Sequence, residues 1–215
     1  CVCNSGYQAD LSGNCIVIPP APTGLIDNFD TTYVLADGQT SPDGKWLCKY
    51  TGFGRVASES GTMHIYPKTS TDPTGAETHA PLVVSTQKFG DCTMNLDMRT
   101  NKQLRLNYPP HTWETAWLMY HYTDDLHLYW FTLKTNGYEF GKRNGGAQIF
   151  LKTGAIPSVT IGTFQHVTVT VQGAHHIVSV NGAKIIDFID TVSTSGSIGI
   201  YDEDSDTSWD SVKVV

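Results

Sequence analysis

The segment "AWLMYHYTDDLHLYWFTLK" (Ala116–Lys134) decides the fold. Two apolar runs flank an acidic turn, so it reads as an antiparallel hairpin. Successive side chains of a strand point to opposite sides. Leu118, Tyr120 and Tyr122 therefore share one side of the first run, and Trp117, Met119 and His121 share the other. In the second run Tyr129, Phe131 and Leu133 alternate with Trp130, Thr132 and Lys134. Large rings fall on both sides, whereas a sheet with one wet face needs them on one. The second set of rings needs a purpose.

The same pattern extends in both directions. Short alternating runs such as "KWLCKYTG", "TMHIY", "PLVVSTQKF", "CTMNLDMRT", "HVTVTVQG" and "SGSIGIYDED" are separated by Gly, Asn, Asp and Pro at intervals of roughly ten residues. "NGY", "NGG" and "NGA" supply turns, because Asn-Gly tolerates positive φ. No stretch has a 3.6-residue period and no internal repeat is present. About a dozen strands predict an all-β chain, a two-sheet antiparallel jelly-roll sandwich over residues 25–215. Residues 1–15 form a small N-terminal cystine element, and "IVIPPAPTG" (16–24) reads as an extended, Pro-stiffened linker.

The totals narrow the function. A length of 215 residues suits one large β domain, or one domain plus a short appendage. The net charge of −7, with acidic residues spread along the chain, disfavours a nucleic-acid partner, which needs clustered Lys and Arg. No apolar run reaches the roughly 18 residues of a membrane span, and no basic, apolar leader opens the chain. A charged fraction of only 16%, with Thr and Gly common, is typical of secreted β proteins. The cysteines are Cys1, Cys3, Cys15, Cys48 and Cys92. Cys48 and Cys92 lie in predicted strands and are expected to pair across a sheet. Five is odd, which leaves Cys1 for a bond to another chain or segment, or for a lipid. Zinc is the competing use of these thiols, but no C-x₂-C or H-x₃-H spacing accompanies them.

Several motifs carry resemblances. "CVCNSGYQADLSGNC" (1–15) resembles the closing half of an EGF-like module, which implies a Cys3–Cys15 disulfide and a partner for Cys1 upstream. "DNFD…SPDGKW" (Asp27–Trp46) is similar to the opening of concanavalin A-like glucanase and laminin-G-like sandwiches. "YTDDLHLYWFTLKTNGYEFGK" resembles the hairpin of the 3-keto-disaccharide hydrolase, or DUF1080-like, domain. "GAHHIVSVNGAKIIDFID", "SGSIGIYDED" and "WDSVKVV" resemble the last three strands of that superfamily. The resemblance covers most of residues 25–215 and implies a sandwich whose concave sheet faces glycan. It also implies a structural Ca²⁺ held by Asp27 and Asp210, with Asp30 as a further ligand. The acidic run "DEDSD" (202–206) is a second metal candidate, and a solvated acidic turn is its competing assignment.

If consecutive antiparallel strands are neighbours, one face presents Asn95, Asp97, Arg99, Trp117, His121, Trp130, Thr132 and Lys134. Indole rings stack on the C–H face of a sugar while carboxylate, guanidinium and amide groups bind its hydroxyls. The alternative is ordinary packing, with "TNKQLRLNYPPHTWE" (100–114) folded over the indoles. For catalysis, glycosidases need paired carboxyl groups, and Asp97 with Glu114 is the available pair. A lyase scheme would use Tyr120 or His121 as base, with Arg99 or Arg105 neutralising a uronate. Neither scheme is forced by a motif. The expectation is a secreted, non-catalytic carbohydrate-binding or adhesion sandwich at the cell surface or in extracellular matrix. A self-assembling subunit of an extracellular filament, joined through the N-terminal segment and Cys1, is the alternative, and a glycoside hydrolase or polysaccharide lyase is the third reading.

Overall fold

The computed structural model describes residues 24–190 and 192–215, together with the backbones of strands β1 (Tyr7–Ala9) and β2 (Cys15–Val17), which pair antiparallel. The expected Cys3–Cys15 disulfide, the expected outside partner of Cys1 and most of the Pro-rich linker lie outside the described residues. β2 continues two residues into the stretch read as linker. The described residues contain no helix, and so none long and apolar enough to cross a membrane.

The other strands form two antiparallel sheets. The first has seven strands, in the order β13 (Ile149–Gly154), β12 (Gly137–Asn144), β11 (His127–Lys134), β10 (Ala116–Asp124), β17 (Ser197–Asp202), β8 (Leu82–Ser85) and β5 (Trp46–Tyr50). The second has nine. Its order is β16 (Ala183–Ile189), β15 (His175–Val180), β14 (Gln165–Gln172), β9 (Cys92–Gln103), β18 (Ser205–Val214), β7 (Thr62–Tyr66), β6 (Arg55–Glu59) and β4 (Tyr33–Leu35), with β3 (Ile26–Asp27) paired to β18. The expected sandwich is therefore present.

The sheets meet through their inner faces. Met94, Leu96 and Met98 of β9, Val167, Val169 and Val171 of β14 and Trp209 of β18 pack with Leu118, Tyr120, Tyr129, Phe131 and Phe140 of the smaller sheet. Two-residue spacing of these side chains produces this core. A second apolar cluster covers the other face of the seven-stranded sheet, formed by Leu82, Val84, Trp117, Met119, Tyr122, Leu128 and Trp130. The rings on both sides of the hairpin therefore serve two packed layers, and β8 (LVVS) is buried at every position.

Three expectations are corrected here. β9 is not the neighbour of β10. It lies between β14 and β18 in the larger sheet, because the chain crosses from one sheet to the other between them. Cys48 and Cys92 are free, buried thiols rather than a disulfide, on β5 and β9 of opposite sheets. Burial pushes Cys48 up to about 12 and Cys92 up to about 11. Finally, a β-bulge interrupts the alternation of β10. His121 takes a positive φ of 47° there, which moves Tyr122 to the outer layer beside Trp117 and Met119.

The outer face of the nine-stranded sheet is polar. His64 bridges Glu59 and Asp206 at 2.9 and 2.8 Å. Hydrogen bonds to these carboxylates, Asp206 first, hold its imidazole above the ordinary histidine range. A raised folded-state value means the stabilisation is complete below the unfolded value, near 6.5, and disappears as pH rises through the folded value. His64→Gln should therefore lower denaturant stability by up to about 1 kcal/mol in mild acid, with the difference vanishing at alkaline pH. For the thiols, iodoacetamide should leave Cys48 and Cys92 unmodified in native protein and alkylate both in denaturant without reductant, as read by peptide mass mapping. A requirement for reductant would restore the disulfide.

Candidate functional site

The outer face of the seven-stranded sheet carries two adjoining hollows. Tyr50, Trp117, Met119, Leu128, Trp130 and Tyr201 supply the apolar lining of the first, and Asp125, Arg143, Gln148 and Glu203 its polar groups. Trp113, Trp117 and Phe150 line the second with Lys134, Glu139, Gln148 and Glu203. The second is the roomier of the two and approaches the lower end of small-molecule sites, while the first is a narrower recess. Trp117, Gln148 and Glu203 are common to both.

Register explains the floor. Trp117 opposes Thr132 and Trp130 opposes Met119 across β10 and β11, so the two indoles are diagonal neighbours on one side, with ring centroids 6.0 Å apart. Gly141 of β12 lies opposite Trp130. A Cβ there would come within 2.3 Å of the Trp130 ring, so only glycine lets the indole lie over the strand. Both indoles are nearly closed off, at 3% and 1% exposure. They are a floor and not the open stacking platforms the sequence suggested, because the bulge and the loop before β10 bring neighbours against them. The loop arrives through Trp113, whose carbonyl accepts the Trp117 Nε1–H at 2.9 Å. Among the described residues the Trp130 N–H is buried without a partner, a cost of about 1–3 kcal/mol. The rings open to the surface are Trp113, at 37%, and Phe150, at 54%. His111 stacks on Trp113 with centroids 4.5 Å apart.

The acidic run Asp202–Glu203–Asp204 sorts by direction. Asp202 is buried and accepts from Thr207 Oγ1 at 2.9 Å. Asp204 is also buried, and accepts from Arg105 Nη2 and the His79 amide, both at 2.9 Å. Arg105 in turn binds Glu114 at 2.6 Å and Ser70 at 3.0 Å, tying the two long loops, 67–81 and 104–115, to this turn. Glu203 points into the hollows and accepts the Tyr201 hydroxyl at 2.9 Å. Burial, and then the nearby Asp204, Glu114 and Glu139 carboxylates, push Glu203 up to about 7 against the Tyr201 hydrogen bond. Glu139 is ion-paired to Lys134.

The structure splits the predicted constellation. Trp117, Trp130 and Lys134 are at the hollows, while Thr132 is buried and donates to the Ala116 carbonyl at 2.9 Å. His121 is buried in the bulge, its ring nitrogens facing the Ser193 and Gly90 carbonyls at 2.9 and 3.2 Å. Asn95, Asp97 and Arg99 lie on the far side of the sandwich. There they bond Thr168, His166 and Ser208, and Arg99 also covers the Phe164 ring. The carboxyl pair Asp97 and Glu114 is not assembled, because Asp97 is on that far face and Glu114 is buried with Arg105. The lyase set fails likewise, since Tyr120 is a core residue bonded to His176 and Arg105 is buried.

Of the expected metal ligands, Asp27 and Asp30 line one hollow with Asp43. Asp27 accepts from Phe29 N and Trp46 Nε1, and Asp210 from Ser211 N. Among the described residues no group of three or more His, Cys, Asp or Glu side chains is placed to hold a metal ion, "DEDSD" included. Sequence reasoning missed Trp113, Glu139, Phe150 and Glu203. The acidic turn was visible, but which of its carboxylates faces outward was not.

Residues 32–215 match the family model described as the 3-keto-alpha-glucoside-1,2-lyase-like domain, and the chain belongs to that family. No curated protein matches. Among solved structures, the carbohydrate-binding module CBM66 from Bacillus subtilis is similar at 15% identity and TM-score 0.54, over 71% of this chain and 93% of that one. The Bacillus licheniformis β-glucanase is similar at 12% identity and TM-score 0.60, over 89% and 97%. SCLam, a non-specific endo-β-1,3(4)-glucanase, is similar at 13% identity and TM-score 0.55, over 97% and 94%. These likenesses establish a carbohydrate-binding and glycosidase type of β-sandwich fold, which hosts several functions.

Gly141→Ala should lift the Trp130 ring off β12. The expected result is a shift in tryptophan emission and a stability loss of about 1–3 kcal/mol by denaturant titration. An unchanged spectrum and midpoint would refute this account of the floor.

Proposed function

We propose that this chain is an extracellular carbohydrate-binding domain of the cell surface or matrix, and that it seats a neutral glycan in the paired hollows. The observation that carries the reading is a double hollow lined by aromatic rings and polar side chains, with Trp113 and Phe150 open to the surface. Trp113 and Phe150 offer faces for sugar C–H groups, and Gln148, Arg143 and Glu203 offer polar partners for hydroxyls. Three carboxyl groups, on Asp125, Glu139 and Glu203, outnumber the cations Arg143 and Lys134, and Lys134 is taken by Glu139. That balance favours a neutral sugar over a uronate. The family description names a glucoside, and the similar β-glucanases act on glucans, which supports a glucose-containing ligand.

Binding needs no catalysis, and the carboxyl pair expected from the sequence is not assembled. Glycan binding in the hollows does not depend on Ca²⁺ at Asp27, Asp30 and Asp210, which lie outside the lining of both.

Affinity electrophoresis in gels containing mixed-linkage β-1,3/1,4-glucan, laminarin or mucin tests the proposal. Wild type should be retarded in at least one gel. Trp113→Ala and Phe150→Ala should each weaken retardation by about tenfold or more, in line with 1–3 kcal/mol for a stacking ring, with thermal melting unchanged. Migration of wild type unaffected by every glycan would defeat it.

A further inference from the structure

The rim of the second hollow draws on two loops, 67–81 and 104–115. Trp113 stands on the later loop and lines that hollow. His111, two residues earlier, lies outside the lining of both hollows. Its ring stacks on the Trp113 indole, with centroids 4.5 Å apart and planes 8° from parallel. Gly75 of the earlier loop lies against the same imidazole. A Cβ there would come within 2.5 Å of His111 Nε2 and 2.8 Å of its Cδ2, and the backbone has a φ of +74°.

The His111 ring is not held there by hydrogen bonds. Its Nε2 is buried without a partner among the described residues, which carries a desolvation cost. What the ring supplies is a flat aromatic surface. The backbone beneath the pair is fixed at several points. The His111 carbonyl accepts Gln103 Nε2–H at 2.8 Å and the Glu114 amide at 3.2 Å. The Trp113 carbonyl accepts the Thr115 amide at 2.8 Å and Trp117 Nε1–H at 2.9 Å. The two loops are joined where Ser70 receives the Leu106 amide at its carbonyl, at 2.9 Å, and Arg105 Nη1 at its hydroxyl, at 3.0 Å.

We propose that His111 is the positioning residue of the glycan groove. With Gly75 against it, His111 holds the Trp113 indole as a preformed platform, and the sugar stacks only on the indole face turned away from it. The inference rests on the glycan reading of the hollows and adds residues that touch no ligand. A large side chain on a surface loop loses rotamer freedom when a ligand orders it, which weakens affinity by about two- to tenfold. A ring already stacked in the free protein has met that cost during folding. One indole face is covered by imidazole, so a sugar reaches the ring from the hollow side alone.

The test combines retardation in gels of mixed-linkage β-1,3/1,4-glucan, laminarin and mucin with indole N–H resonances of the ligand-free protein. His111→Ala should weaken retardation by about two- to tenfold, less than Trp113→Ala does, and should shift the Trp113 indole resonance. His111→Phe should keep wild-type retardation and melt no lower than wild type, because it retains a ring and removes the buried nitrogen. In the Trp113→Ala background His111→Ala should have no further effect on binding. Gly75→Ala should weaken binding only where His111 is present.

Wild-type retardation in His111→Ala overturns the positioning role and leaves the groove standing. Equal losses from His111→Ala with and without Trp113 do the same, as does a loss in His111→Phe as large as that in His111→Ala. An unmoved Trp113 resonance in His111→Ala refutes the preformed stack without reference to any glycan. No retardation of wild type in any gel removes the groove and this inference together.

Discussion

Two-sided burial of the seven-stranded sheet is the constraint on which the molecule depends. β10 and β11 send Leu118, Tyr120, Tyr129 and Phe131 into the interface between sheets, and Trp117, Met119, Leu128 and Trp130 into a second layer above it. A sheet with one wet face would leave those indoles in water. Here Gly141 makes room for one ring, and the loop carrying Trp113 closes over the other. The second layer is not thick enough to fill the surface, and the space left above it is the paired hollow. The candidate site is thus a consequence of packing on the outer face.

Electrostatics then sorts the acidic turn. Three successive carboxyl groups end up in three different environments within one short turn. Asp202 and Asp204 are sealed beneath it, the second held by the Arg105 network, while Glu203 borders the hollows. Breaking a buried ion pair from one side costs about 3–5 kcal/mol, which makes Arg105 a strong clamp between the turn and both long loops. The same clamp sets the approach of Trp113. The Trp113 rim and the turn bearing Glu203 are therefore tied together by one buried guanidinium outside the lining of both hollows.

The opposite face of the sandwich shows the contrast. Asn95, Asp97, Arg99, His64 and Asp206 form cross-strand bonds on a polar sheet face. Rows of small hydroxyl and charged groups satisfy one another there, as partners directly opposite across antiparallel strands do. That face needs no ligand to account for its composition.

Alternation and turn residues determined the all-β class, the two-sheet sandwich and the hairpin Ala116–Lys134 with rings on both sides. They also pointed to Trp117, Trp130 and Lys134, because local period and side-chain type are properties of neighbouring residues. Tertiary structure alone decided the rest. Which strand neighbours which is set by crossovers, and the crossover between β9 and β10 sent Asp97 to one outer face and Trp117 to the other. One bulge at His121 reversed the parity of Tyr122. The proximity of Glu203, Glu139, Trp113 and Phe150 joins residues up to 90 positions apart in the sequence. Strand pattern cannot encode such proximity, since it arises only when two-sided burial stacks distant segments over one sheet.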